Sequence, residues 1–371
     1  MTRGRRAGAL LLLAALLLGG TGCTAARPEG HPTPTAPPTW TPPPSDPART
    51  LGLPGTPCDG TLGEPSPATL PRPVHAAGTT VTGGDVRLGR GTWSFSDFRI
   101  VPGIQRIGLL IQPTVHSVTG AGPASTLLAM RPHTSTAAGT IPAHFPDSNR
   151  LFLVRAAGSS VRLSGFSVVG TPQGHPYNGL RVERSTGARV TDVCVAGIPG
   201  TDSKPPGETF GIADNLTTGS VYRDVAVDGR WLSAAGLGAS VSSDITVLDS
   251  RFFDNRASSG ATFWEVHNAT VRDVTAVDNG LAGLNFERVT GTVIIDRPTL
   301  SGNVVGDIRI ASDQGSAHYV IRDPVLAPGA RLTVVLPPTY YGHPERQRRS
   351  DIRLLVDGKD RTADLVRFIT P

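Results

Sequence analysis

GLRVERSTGARVTD (179–192), GIADNLTTGSVYRD (211–224), GLGASVSSDITVLD (236–249), GATFWEVHNATVRD (260–273) and GLNFERVTGTVIID (283–296) are segments of one 371-residue chain, each opening on glycine and reaching aspartate thirteen places later. Eight places after each glycine stands Gly187, Gly219, Asp244, Asn268 or Gly291, residue types that enter the left-handed turn region at least cost. Positions one and three pair Leu180 with Val182, Ile212 with Asp214, Leu237 with Ala239, Ala261 with Phe263 and Leu284 with Phe286. Positions nine and eleven pair Ala188 with Val190, Ser220 with Tyr222, Ile245 with Val247, Ala269 with Val271 and Thr292 with Ile294. This is period-two alternation, the signature of strands. Units this short cannot bury a face alone and must stack on their neighbours. The pattern predicts an all-β solenoid, a right-handed parallel β-helix.

The glycine-to-glycine intervals are 32, 25, 24 and 23 residues, so all the extra length falls between the aspartate and the next glycine. Insertions at one corner build loops on one face, often the binding face. The longest, 197–210, predicts a groove beside the strand that starts at Gly211, with His175 and Tyr177 in the preceding insertion.

Upstream, residues 1–22 carry Arg3, Arg5 and Arg6, an apolar run 9–18 and then small residues, the layout of a secretory signal. The run before Cys23 resembles a bacterial lipoprotein signal, although Gly20 stands where such signals prefer leucine; the resemblance implies lipid on Cys23 and anchorage at the outer face of the cell membrane. Residues 23–73 hold fifteen of the thirty-three prolines and predict a disordered tether. With Cys23 lipidated, Cys58 and Cys194 remain as an even pair, for which a bridge and two free thiols both stay open. Cys194 lies between Val193 and Val195 and should point outward. No Cys or His pair has ligand spacing, so no metal site is expected.

The segments VRLGRGTWSF (86–95) and SVTGAGPASTLLAM (117–130), with Gly120, Gly122, Ser125, Thr126 and Leu128, resemble the opening coils of pectin-lyase-like β-helix proteins. PPGETFGI (205–212) and GLNFERVTGTV (283–293) resemble β-helix proteins of actinobacterial secretomes and of phage tails. The resemblance implies a β-helix over 74–326, and among phage-tail rods it implies trimers. It leaves the chemistry open, because one scaffold carries lyases, hydrolases, epimerases and plain binders. Residues 327–371, with a hairpin expected around Asp357-Gly358, should form a C-terminal β cap.

The net charge of +5 rests on thirty-three arginines against two lysines and is spread out, which argues against a nucleic-acid partner and fits a polysaccharide or cell-wall glycan. The repeated aspartates suit tight turns between strands. Asp214 differs, since it occupies an inward position, where it needs hydrogen bonds, a charge partner or a proton. Trp264 and Glu287 fall one coil apart, with Glu265 and Arg288 adjacent, and an aromatic plate beside a carboxylate suits a sugar ring. A second cluster follows the third strand of successive coils: Asp228, Asp254 and Asp278, with Glu208, Arg230 and Trp231 nearby. If the protein is an enzyme, carboxylates among Asp214, Asp228, Asp254 and Glu287 would act as acid and base in glycosidic cleavage. Alternatively Arg230 or Arg256 would serve β-elimination, with Ca²⁺ as the implied ion. Turn formation accounts equally for these acids. The chain has no Asp-Asp pair, no Arg-x-Pro-x-x-Arg run and no Asp-Pro-His, the marks of polygalacturonases, pectate lyases and alginate epimerases. A non-catalytic adhesion or structural module therefore stands beside the glycan-processing reading.

Overall fold

The computed structural model describes residues 56–58 and most of 73–370; the segments outside the described residues include 1–55, 59–72, 131–149, 171–177, 199–209, 230–234 and 312–316. Each coil gives one strand to a first sheet, turns a corner, and gives a second, kinked strand to a second sheet. In the first repeat these are Asn178–Glu183 and Arg189–Ala196. The next coils stack on them in parallel register, with Val182 beside Asp214, Ala239, Phe263, Phe286 and Ile310 in turn. In the second sheet Val190 stacks on Tyr222, Val247, Val271, Ile295 and Ile321. The chain is a parallel β-helix.

Its core is the space between the sheets, filled by these inward columns, almost all of them fully buried. Each large apolar side chain so buried contributes about 1.5–3 kcal/mol. Phe263 stacks on Phe286 with ring centroids 4.9 Å apart, and Phe286 meets the edge of Tyr319 at 5.5 Å. The repeat glycines have a steric cause. A Cβ on Gly211, Gly236 or Gly260 would lie 2.5–3.0 Å from the carbonyl oxygen of the next coil's glycine. At this inner corner the backbones stack too closely for any side chain.

The corners run in left-handed conformation, including residues for which it is unfavourable. Asp192, Asp224, Asp249 and Asp273 have φ of 50–55° and form one stacked column that kinks the second sheet. Here the fifth segment departs from the count. One added residue at Gly291 shifts the register between His267 and Ala269, so Arg272 pairs with Asp296 and Arg297 takes the left-handed corner at φ 47°. Thr292 and Ile294 therefore face outward, while Val293 and Ile295 are buried. Arg297 gives both carboxylate oxygens of Asp273 a hydrogen bond, at 2.7 and 2.6 Å. A cation thus relieves the end of the acid column. At the other end, partial burial and then the Asp224 charge hold the Asp192 carboxyl above the ordinary carboxylate value.

Another column falls beyond the repeated segments. Asn255 donates its amide to Asn279 at 2.7 Å and Asn279 to Asn303 at 2.9 Å, and the accepting oxygens also take the backbone N–H of Asn255 and Asn279. This asparagine ladder ties successive coils together at the corner between the second sheet and the next glycine, although the buried side-chain oxygen of Asn255 at its start has no partner.

The two ends carry more detail than the spacing predicts. Residues 56–58 are buried against the outer face of the second sheet, where Cys58 is bonded to Cys194, so the segment 23–73 is not tether throughout. Cys194 does point outward, joining Ala226, Phe253 and Val277 in a small apolar cluster separate from the core. At the far end, Ile352–Val356 and Val366–Ile369 add parallel strands to the second and first sheets, so the expected cap is a further coil. The hairpin around Asp357 and Gly358 hangs from that coil, with Val356 opposite Lys359.

Candidate functional site

The outward residues of the first sheet form the candidate site. Alternation points positions two and four of each repeat away from the core, and the insertion corner borders their row. Trp264 lies in register with Glu287, and both are partly exposed. Glu287 accepts hydrogen bonds from Asn285 at 2.8 Å and from Arg309 at 2.8 Å, and Arg309 also reaches Asn285 at 3.0 Å. On the adjacent corner Arg288 is paired with Glu265. At the opposite end of the row, Arg181 is bonded to Glu183 at 2.5 Å. The two ends of this face thus carry carboxylates already matched to guanidinium groups.

Between those ends lies Phe210, whose ring packs onto the backbone of Gly238 in the next coil, where a Cβ would be 2.2 Å from the ring. Asn178 and Ser259 are fully buried at the position just before a repeat glycine, the position of Phe210. Neither amide atom of Asn178 has a hydrogen-bond partner, nor has the Ser259 hydroxyl. Such atoms cost about 1–3 kcal/mol each when left unpaired. Along the rim, Arg184, Leu216, Val241, Glu265 and Arg288 share the left-handed region at φ 52–55°. For Val241, a β-branched residue, this is a strained conformation.

The expected acids do not converge. Asp214 lies inside the solenoid with no exposed surface, so it cannot act on a chain in the groove. It accepts from Tyr222 at 2.6 Å, from Ser242 at 2.9 Å and from Thr217, which in turn accepts from Ser220 at 3.1 Å. Burial pushes its carboxyl above the ordinary value, against the lowering effect of these hydroxyl groups. Burial, and then Asp214 itself, pushes the Tyr222 phenol well above its usual value. Of the hydrogen bonds, charge partner or proton that an inward Asp214 needs, the structure supplies hydrogen bonds, all from hydroxyl groups.

Asp228 does not stack with Asp254 and Asp278. It pairs with Phe253 and is buried, while Gly229 occupies the register of Asp254. Asp254 and Asp278 are left-handed corner residues, φ 57° and 56°, donating their N–H groups to the carbonyls of Val277 and Ser301. Their conformation is the turn role. Arg256 is exposed just past that corner. His175, Tyr177, Glu208, Arg230, Trp231 and Cys23 lie outside the described residues. Missed from the sequence were Phe210, Asn285 and Arg309. Asn285 and Arg309 share position two of successive first-sheet strands, which alternation alone would have shown.

The buried acid gives a pH test. Because the folded state raises the Asp214 pKa, its contribution to stability is present below the unfolded value of about 3.9 and is lost as pH rises through the folded value. Asp214→Asn is therefore expected to gain stability relative to the parent as pH goes from 4 to 7, measured by urea unfolding. A difference independent of pH would show that Asp214 keeps its ordinary pKa.

No protein-family description and no curated protein matches this sequence. Among solved structures, full-length tailspike protein 2 from Escherichia coli O157:H7 bacteriophage CAB120 aligns at 12% identity with a TM-score of 0.43, covering 70% of this chain and 37% of the tailspike. The mannuronan C-5 epimerase AlgE4 A-module of Azotobacter vinelandii aligns at 12% identity and a TM-score of 0.40, covering 78% of this chain and 90% of the module. ORF18 of Geobacillus virus E2 aligns at 10% identity and a TM-score of 0.29, covering 68% of this chain and 57% of that one. The chain thus spans little over a third of the tailspike's length.

Proposed function

We propose that this is a cell-surface glycan-binding protein whose ligand, a polysaccharide or cell-envelope glycan, lies along the outer face of the first sheet. One observation carries the reading: Trp264 stands in register beside a Glu287–Asn285–Arg309 cluster on an extended, partly exposed strand surface. An aromatic face packs against the apolar C–H side of a sugar while neighbouring amide and charged groups bind its hydroxyls. Lipid on Cys23 and the proline-rich segment behind it would hold the domain at the outer face of the membrane.

Binding without cleavage is the better fit to the described acids. Glu183, Glu265 and Glu287 are each held by an arginine, and Asp214 is enclosed. A depolymerisation screen tests this with the full-length protein, acidic and neutral polysaccharides, and Ca²⁺ present or removed. The expected outcome is retention on at least one glycan with neither new reducing ends nor unsaturated products. New reducing ends would make it a hydrolase, and Ca²⁺-dependent unsaturation a lyase. Trp264→Ala should weaken glycan binding about tenfold, on the order of 1.4 kcal/mol, by affinity electrophoresis. Unchanged migration would remove Trp264 from the site, and failure to bind any glycan would favour an adhesion or structural module.

A further inference from the structure

The face just described is not uniform in charge. Its ends carry the Arg181–Glu183 pair and the Glu287–Arg309 pair with Glu265–Arg288 alongside. Between them, the outward and rim residues of two successive coils include Phe210, Asn215, Leu216, Ser240 and Val241, and Trp264 follows in register with Ser240. None of these can ionise. Leu216 and Val241 are 46% and 42% exposed, two of the five exposed large apolar side chains among the described residues, the others being Val304, Val305 and Val325. The nearest rim cation, Arg184, stacks one coil outside. From Phe210 to Trp264 the row crosses two coil spacings, about 10 Å.

The partly exposed hydrogen-bonding groups of this row, the Asn215 amide and the Ser240 hydroxyl, are uncharged groups that donate and accept hydrogen bonds. Hydroxyl groups match them. A carboxylate entering this window would shed water with no opposing charge among the window's described residues to meet it, because Arg181 and Arg309 on either side are already matched to glutamates.

We propose that the window from Phe210 to Trp264 selects an uncharged, hydroxyl-rich stretch of glycan and discriminates against uronate-rich chains. The proposal rests on the glycan-binding reading and specifies its ligand. Affinity electrophoresis of the full-length protein, through gels containing mannan, dextran or arabinan in one set and alginate or polygalacturonate in the other, separates the two. Retardation by a neutral polymer, at least tenfold stronger than by either uronate polymer, is expected. Ser240→Asp should weaken that retardation about tenfold with the melting temperature unchanged, while Ser240→Ala stays within threefold of the parent. Stronger binding to the uronate polymers would overturn the neutral-ligand proposal and leave the glycan reading standing. Indifference to Ser240→Asp would overturn the location of the window, and no retardation by any polymer would overturn both readings.

Discussion

Gly236→Val should cost about 3 kcal/mol or more and lower the urea midpoint accordingly, because overpacking here falls on backbone. A Cβ on Gly236 would lie 2.5 Å from the Gly260 carbonyl oxygen, with Phe252 at 3.1 Å and Asn255 at 3.2 Å on the remaining sides. The oxygen cannot turn away, since it accepts the N–H of Leu237 at 3.0 Å within the stack. Relief would come only by separating two coils, which weakens the ladder on both sheets at once. Gly89→Ala is the control, with nothing within 4 Å of the added carbon and an expected effect within about 0.5 kcal/mol. Equal stability of Gly236→Val and the parent would mean that the coils are not stacked through this corner.

Loss of the Cys58–Cys194 bridge should cost roughly 2–5 kcal/mol. The bond closes a sequence separation of 136 residues, long enough for its entropic effect on the unfolded chain to be near the upper end of that range. It also keeps residues 56–58 over an apolar cluster on the outside of the second sheet, where Ala226, Phe253 and Val277 would otherwise meet water. Reduction of the parent and the double change Cys58→Ser with Cys194→Ser should lower the melting temperature by similar amounts. The double variant should then be insensitive to reductant. A parent whose thiols titrate as free after reduction, yet which melts at the same temperature, would contradict a stabilising bridge.

The solenoid was legible because its constraints repeat. Four of the five aspartates occupy the left-handed corner that their spacing suggested, since Asp tolerates that conformation and its side chain competes for turn hydrogen bonds. Asp296 did not, because a single added residue at Gly291 moves every later side chain to the other face, as any one-residue slip in a strand must. The same arithmetic explains Asp228. Counting eighteen places from Gly179, Gly211, Gly236 and Gly260 gives Gly197, Gly229, Asp254 and Asp278, so Asp228 stands one place early. The asparagine ladder was readable in the 24-residue spacing of Asn255, Asn279 and Asn303, but it lies past the thirteen-residue frame.

The site was less legible than the fold. Strand alternation put Trp264 and Glu287 side by side, yet nothing in composition distinguishes an ionised groove acid from one held by Arg309 in the next coil. Asp214 broke the apolar pattern, which marked it as unusual without saying whether it served the groove or the core. Its hydroxyl partners come from different places: Thr217, Ser220 and Tyr222 follow it around its own coil, whereas Ser242 belongs to the next. Only the stacking of coils joins them.

Hydroxyl-radical footprinting of the full-length protein, with and without the glycan that it retains, tests the central claim most directly. Protection is predicted at Phe210, Leu216, Val241 and Trp264 on the first sheet and its rim, with the outward residues of the second sheet, such as Arg223 and Arg272, unchanged. Protection confined to the second sheet, or to the terminal coil around Ile352–Val356, would place the glycan elsewhere and contradict the account.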